Sequence, residues 1–290
     1  MFLLLLTISE AEAAEFKGKL IIPDSTFTQI ITLRDGSTIF GRVDEIGETE
    51  IKFCTLMGVL TISIDQIEKI VLISQSAIKG GKYWFPNPNL TRLFFAPTGR
   101  MLNQGQWYFS DYYIFFPGVT AGLTDNITMG AGMSLFPGLS IPNQIFFFTP
   151  KIGLKAAEGF DLAAGALIIK IPNWEDDEDD EDNLGSLGIL YTVGTYGSLD
   201  HSLTIGLGYG YAGDEMADNP IILLGGETRI SRRVALVTEN WIMPGIDNPL
   251  ISYGVRIFGE KLSVDLALLT TVGEDAFFPG IPYIDFVVNF

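Results

Sequence analysis

Acid–base or nucleophilic chemistry in this chain would have to come from very few side chains. There is one histidine, His201, and one cysteine, Cys54. A hydrolytic Ser–His or Asp–His site needs an imidazole beside its nucleophile. His201 follows Asp200 in a stretch that reads as a tight turn, so it is expected to be a turn residue rather than a catalytic base. Cys54 has no second cysteine for an intramolecular disulfide. It lies in an alternating stretch and is expected to be a buried apolar residue. No Walker loop, GxSxG elbow or metal-ligand cluster occurs. The sequence predicts no enzyme, no cofactor and no defined metal site.

Charge at a fixed phase is more informative. Glu227, Arg229, Glu239, Arg256, Asp265 and Asp285 fall on the polar phase of successive alternating stretches, and Lys151, Lys155 and Asp161 on that of two earlier ones. Buried charges are costly unless paired or hydrated. Two readings stay open: a salt-bridge network that fills and shuts an interior, or a hydrated pathway lined by mixed charge. A different cluster is the acid run Glu175-Asp176-Asp177-Glu178-Asp179-Asp180-Glu181-Asp182. Such a run reads as a solvated, disordered loop. Divalent-cation binding is its second reading, without the spaced glycine of an ordered calcium loop.

The elements that must position these charges are strands. Hydrophobic residues make up 47% of the chain and mean hydropathy is +0.30, yet no stretch approaches the roughly 18–20 apolar residues of a membrane helix. That leaves a large buried β core or a barrel whose apolar face meets lipid. A formal charge of −17 argues against nucleic acid as a partner, since phosphates could not be neutralised in bulk. From about 105 onward there are about twelve strand candidates: 105–115, 118–124, 127–136, 144–157, 160–171, 186–198, 201–212, 220–231, 233–243, 250–258, 261–272 and 281–290. Tight turns at Asp125-Asn126, Glu158-Gly159, Leu199-Asp200, Ser231-Arg232 and Gly259-Glu260 alternate with longer connections at 139–143, 173–185, 213–219, 245–249 and 273–280. An even-stranded barrel with both termini at one end would alternate in this way. Phe116-Pro117-Gly118, Phe136-Pro137-Gly138, Met243-Pro244-Gly245 and Phe278-Pro279-Gly280 are expected at the long-connection rim.

Face assignment separates bulky from small residues. Leu203, Ile205, Leu207, Tyr209 and Tyr211 oppose Thr204, Gly206, Gly208 and Gly210, and Ile127, Met129, Ala131, Met133 and Leu135 oppose Thr128, Gly130, Gly132 and Ser134. A soluble barrel of this size would turn its large residues inward to fill the core. Here the small and polar set must face in. The last strand continues the pattern, with Ile284, Phe286, Val288 and Phe290 in one phase. A strand ending on a carboxy-terminal Phe resembles the closing strand of bacterial outer-membrane β-barrels. The resemblance covers about 105–290 and implies outer-membrane lipid and the barrel-assembly machinery as partners, with Phe290, Val288, Phe286 and Ile284 as the assembly signal.

The region before the barrel divides further. Met1-Phe2-Leu3-Leu4-Leu5-Leu6-Thr7-Ile8 with Ala11-Glu12-Ala13 fits a secretory signal over 1–14, without the basic n-region, so that its start is expected to be truncated or misplaced. Residues 26–74 hold five short alternating strands, with an Asp35-Gly36 hairpin turn, and are expected to form a small closed or half-closed β-barrel. Leu33-Arg34-Asp35-Gly36-Ser37 followed by Gly41-Arg42-Val43 resembles an Sm-like or SH3-like barrel, which implies a fold and no RNA-binding role. Residues 75–104, with Pro86-Asn87-Pro88-Asn89, read as a linker leading into the barrel. The expected architecture is all-β, a transmembrane antiparallel barrel of about twelve strands after a small periplasmic module. Its expected function is passive passage of small solutes or ions. The alternative is a closed structural or adaptor barrel that anchors the module for an envelope protein partner.

Overall fold

The computed structural model describes residues 16–172, 186–273 and 278–290. The signal segment expected at 1–14 and the acid run at 175–182 lie outside the described residues. The chain divides into two compact units, one up to Trp84 and one from Phe85.

In the first unit, β1 (Phe27–Leu33), β2 (Thr38–Ile46), β3 (Glu50–Thr55), β4 (Gly58–Ser63) and β5 (Ile67–Ser74) form one sheet in the order β4-β3-β2-β1-β5. Gly36 takes a left-handed backbone in the first hairpin turn, as the Asp-Gly pair demands. A 3-10 turn at Ile64–Gln66 then carries the chain to the far side of β1, where Ile70 pairs with Ile31. β4 and β5 are therefore the two edges of an open sheet, and the small barrel expected here does not close. Ile31, Val43, Ile51, Phe53, Ile62, Ile67 and Ile70 pack as its core. Buried Gln29 accepts the Val43 N–H at 2.8 Å, next to a bulge in β2, and donates to the Ile21 carbonyl at 2.8 Å. Cys54 is half-buried rather than buried, because Ile51 and Phe53 take the inward phase of β3 and Cys54 follows Lys52 on the other. A two-residue ribbon, β6 (Ile78–Lys79) with β7 (Lys82–Tyr83), turns through Gly80 and Gly81, both left-handed.

The second unit is a closed antiparallel barrel of twelve strands. They are β8 (Trp107–Tyr112), β9 (Phe116–Thr124), β10 (Ile127–Met133), β11 (Phe146–Ala157), β12 (Phe160–Lys170), β13 (Leu187–Gly197), β14 (His201–Ala212), then, after the two-residue tab β15 (Glu215–Met216) on β14, β16 (Ile221–Ser231), β17 (Val234–Ile242), β18 (Leu250–Phe258), β19 (Leu262–Thr271) and β20 (Ile281–Asn289). Each pairs with its sequence neighbours, and β20 closes the ring on β8 through Asp285↔Tyr112 to Asn289↔Tyr108. Closure leaves no unpaired barrel edge. Phe290 stacks on Trp107 across the seam, ring centroids 4.2 Å apart. The connection between β8 and β9 is only three residues, with Tyr113 and Ile114 both left-handed, although it lies at the end where the other connections are long. At that rim Phe136 packs on Phe115 and Phe116; Phe116-Pro117-Gly118 itself opens β9.

The wall is apolar outside and small or polar inside. Leu203, Ile205 and Leu207 are exposed on the outer surface while Thr204, Gly206 and Gly208 are buried within. In β20, Ile284, Phe286, Val288 and Phe290 take the outward phase, and Tyr283, Asp285 and Val287 the buried inward one.

The segment 85–104 departs from its expected role as a linker. It enters the lumen from the short-turn end, reverses at the level of Glu239 and returns to start β8. Arg92 and Pro97 form an antiparallel bridge at the reversal, with Leu93 N–H on the Ala96 carbonyl at 2.8 Å and Thr98 N–H on the Thr91 carbonyl at 2.9 Å. Phe85, Asn87, Asn89, Thr91, Leu93, Phe94, Ala96 and Thr98 are buried. Pro and Asn suit a surface connection, but they also suit an interior whose wall is charged, because the backbone and amide groups of such a segment complement that wall.

Candidate functional site

Strand period places the charges. On β16 to β20 the inward positions include Glu227, Arg229, Glu239, Arg256, Asp265 and Asp285, all buried. Arg256 and Asp265 are directly opposite each other in register, and so are Asp265 and Asp285. Two carboxylates facing each other would repel. Each instead has its own arginine. Arg256 grips Asp265 with Nε and Nη2, both at 2.7 Å, while Arg92 of the luminal segment grips Asp285 with Nη1 at 2.7 Å and Nη2 at 2.9 Å. Bidentate pairing fixes orientation as well as charge.

Arg256 is also the joint between wall and luminal segment. Its Nη1 donates to Glu227 at 2.7 Å and to the Asn89 carbonyl at 2.8 Å, and its Nη2 donates to the Leu93 carbonyl at 2.6 Å. Asn87 donates to both oxygens of Glu227, at 2.7 and 2.9 Å. Glu239 Oε2 accepts three successive backbone N–H groups, from Phe94, Phe95 and Ala96, at 2.8, 3.0 and 2.9 Å, and its Oε1 accepts Trp241 Nε1 at 2.7 Å. A carboxylate in a cradle of consecutive N–H groups satisfies donors that a tight turn leaves without partners. Across the lumen, Lys151 Nζ donates to the carbonyls of Thr91 and Thr98, both at 3.2 Å, and of Arg100 at 2.7 Å, so it clips the two arms of the hairpin together.

Nearer the short turns, Arg229 donates to the Phe85 carbonyl at 2.9 Å and pairs with Asp200 at 3.0 Å. Arg100 approaches Asp161 at 3.6 Å and donates to the Ser198 carbonyl at 2.5 Å. Lys155 is exposed and takes no part. His201, next to Asp200, is the exposed first residue of β14, and its backbone N–H donates to Ser198 Oγ at 3.1 Å.

Of these wall charges, Arg256 meets Asp265 on the adjacent strand and Glu227 across the intervening β17. Glu239, Asp285, Lys151 and Asp161 are satisfied by residues 85–104, which sequence reasoning left out of the site. One signal pointed there. The inward charges of β16 to β20 are four acids against two arginines, an imbalance that calls for cations from elsewhere, and Arg92 and Arg100 stand in the preceding segment. Among the described residues no group of three or more His, Cys, Asp or Glu is placed to hold a metal, and no helix is long and apolar enough to cross a membrane.

No family model and no curated protein sequence matches the chain. Several solved structures align with it. A loop L8 deletion mutant of OmpT, an outer membrane protein of Vibrio cholerae, aligns over 91% of this chain and 97% of its own, at 11% identity and a TM-score of 0.33. Salmonella typhi OmpF in complex with daunomycin aligns over 91% and 95%, at 11% identity and a TM-score of 0.34. The closed twelve-stranded barrel rests on the strand pairing itself.

Proposed function

We propose that this chain is a bacterial outer-membrane β-barrel shut by its own residues 85–104, a non-catalytic anchor for an N-terminal module that meets an envelope protein in the periplasm. The inverted faces support the membrane setting, because Leu, Ile and Val exposed all along an outer wall are stable against lipid and costly against water. Phe290 and the outward residues of β20 serve, on this reading, as the signal for the barrel-assembly machinery. The five-stranded sheet, with β4 at one edge and β5, bridged by Lys17, at the other, is the adaptor element, in keeping with its Sm-like or SH3-like hairpin pattern.

The observation that carries the closed state is the joint at Arg256. A pathway for water and ions would leave wall charges hydrated, whereas here one fully buried arginine ties two wall carboxylates to two carbonyls of the luminal segment. Passive passage of solutes, the other reading, requires that segment to leave. Liposomes reconstituted with the full chain should not swell in isotonic small sugars. Swelling at the rate of an open porin would overturn the closed-anchor reading in favour of the channel.

A further inference from the structure

Beyond the hairpin, toward the longer connections, the barrel holds a partly open cavity of about 530 Å³. That is within the usual range for small-molecule sites. Phe95 and Pro97 of the hairpin form its floor, and Tyr112, Phe147, Tyr191 and Trp241 are among its walls. Around the hairpin the lumen is filled, by the hydrogen-bonded charges and by Leu93 and Phe94 packed with Val237 and Tyr283, so the empty space begins at the hairpin tip. Aromatic contacts hold that floor in place: Phe95 lies 4.6 Å from Tyr283 and stacks on Tyr112 at 5.7 Å between ring centroids.

The charge of the lining is selective. The chain has 35 acidic residues against 18 basic ones, yet among the described residues no Asp or Glu lines the cavity, and the two charged lining residues are Arg92 and Lys151. Arg92 is neutralised by Asp285. Lys151 is buried and bonded to three carbonyls, which orient the ammonium without neutralising it, and none of the ion pairs found among the described residues includes it. A protein interior is otherwise packed to crystal-like density, and an apolar void takes apolar guests rather than water. Those carbonyls use the three N–H donors of the ammonium, so what Lys151 offers a head group beside this void is positive charge and not a hydrogen bond, and opposite charge nearby is favoured.

We infer that this cup binds a single-chain amphiphile with an anionic head, its hydrocarbon chain among the aromatic and aliphatic walls and its head toward Lys151. The inference deepens the closed-barrel reading and rests on it, since a conducting lumen would have no floor at Phe95. The head is a carboxylate if the molecule comes free from the medium and a phosphate if it is a lysolipid of the surrounding membrane; both share the chemistry recognised here.

The test uses the full chain, purified in a maltoside detergent and checked for the heat-dependent gel shift of a folded barrel. Equilibrium dialysis with radiolabelled hexadecanoate should give saturable binding, one per chain. Ala166→Phe, which fills the cavity from β12, should weaken it at least about tenfold, equivalent to about 1.4 kcal/mol. Lys151→Gln should weaken hexadecanoate about tenfold while hexadecanol changes less than about twofold. Native mass spectrometry of chain extracted from membranes identifies the source: a bound fatty acid or a bound lysolipid each supports the inference. Absence of saturable binding by chain that retains the gel shift overturns the inference and leaves the closed barrel standing, as does equal binding by the Ala166→Phe variant. Equal affinity for hexadecanol and hexadecanoate overturns the anionic head. Loss of the gel shift in the unaltered chain defeats the barrel reading and this inference with it.

Discussion

Arg256 has no exposed surface, and its guanidinium makes five hydrogen bonds, three to carboxylate oxygens and two to carbonyls of the luminal segment. A buried ion pair is weak evidence for net stability, but removing one partner strands the other. Arg256→Ala would leave Glu227 and Asp265 without their cation inside the wall. It should destabilise the barrel by about 3–5 kcal/mol, read as a lower temperature for the heat-dependent gel shift. An unchanged transition temperature would mean that the lumen is hydrated at Arg256. The inward phase of Glu227, Arg229, Glu239, Arg256, Asp265 and Asp285 was legible in the sequence, because strand period fixes which face each residue takes. Their partners were not. A carboxylate on a strand reads the same whether it meets an arginine of the next strand, as Asp265 does, or three backbone N–H groups of a distant turn, as Glu239 does.

At the scale of elements, the legible features were those with local causes. The apolar alternation of 201–212 and 250–258 predicts β14 and β18 to the residue, and β8 falls short of the expected 105–115 because its last residues bend into a left-handed turn at Tyr113 and Ile114. The luminal segment 85–104, with its hairpin at 92–97, has no such period. It is held by long-range contacts to β11, β16, β17, β18 and β20, and its Pro, Asn and Gly content gives only a turn signal. The small β module likewise shows its strands in sequence but not the choice of edge that leaves its sheet open. Phe290 belongs at this scale, since its ring covers Trp107 at the seam between the first and last barrel strands. Deleting Phe290 should reduce the fraction of chain reaching the heat-modifiable form in membranes several-fold, with the proteolytic resistance of the module up to Trp84 unchanged. Full assembly of the truncated chain would remove the terminal strand's role as an assembly signal.

For the whole molecule, composition announced a paradox that the barrel resolves. A chain with a formal charge of −17 and a positive mean hydropathy puts its bulky residues outside and part of its charge inside, the reverse of a water-soluble protein. What composition could not announce is that the barrel would be occupied by the polar stretch that precedes it. The central claim is that occupancy, and single-channel recording in planar bilayers tests it most directly. The full chain should give no steady conductance steps, and a chain in which residues 87–101 are replaced by a short Gly-Ser bridge should give steady ohmic steps with a preference for cations, since acids outnumber arginines on the exposed wall. Steady steps from the full chain, equal in size to those of the bridged chain, would contradict the account.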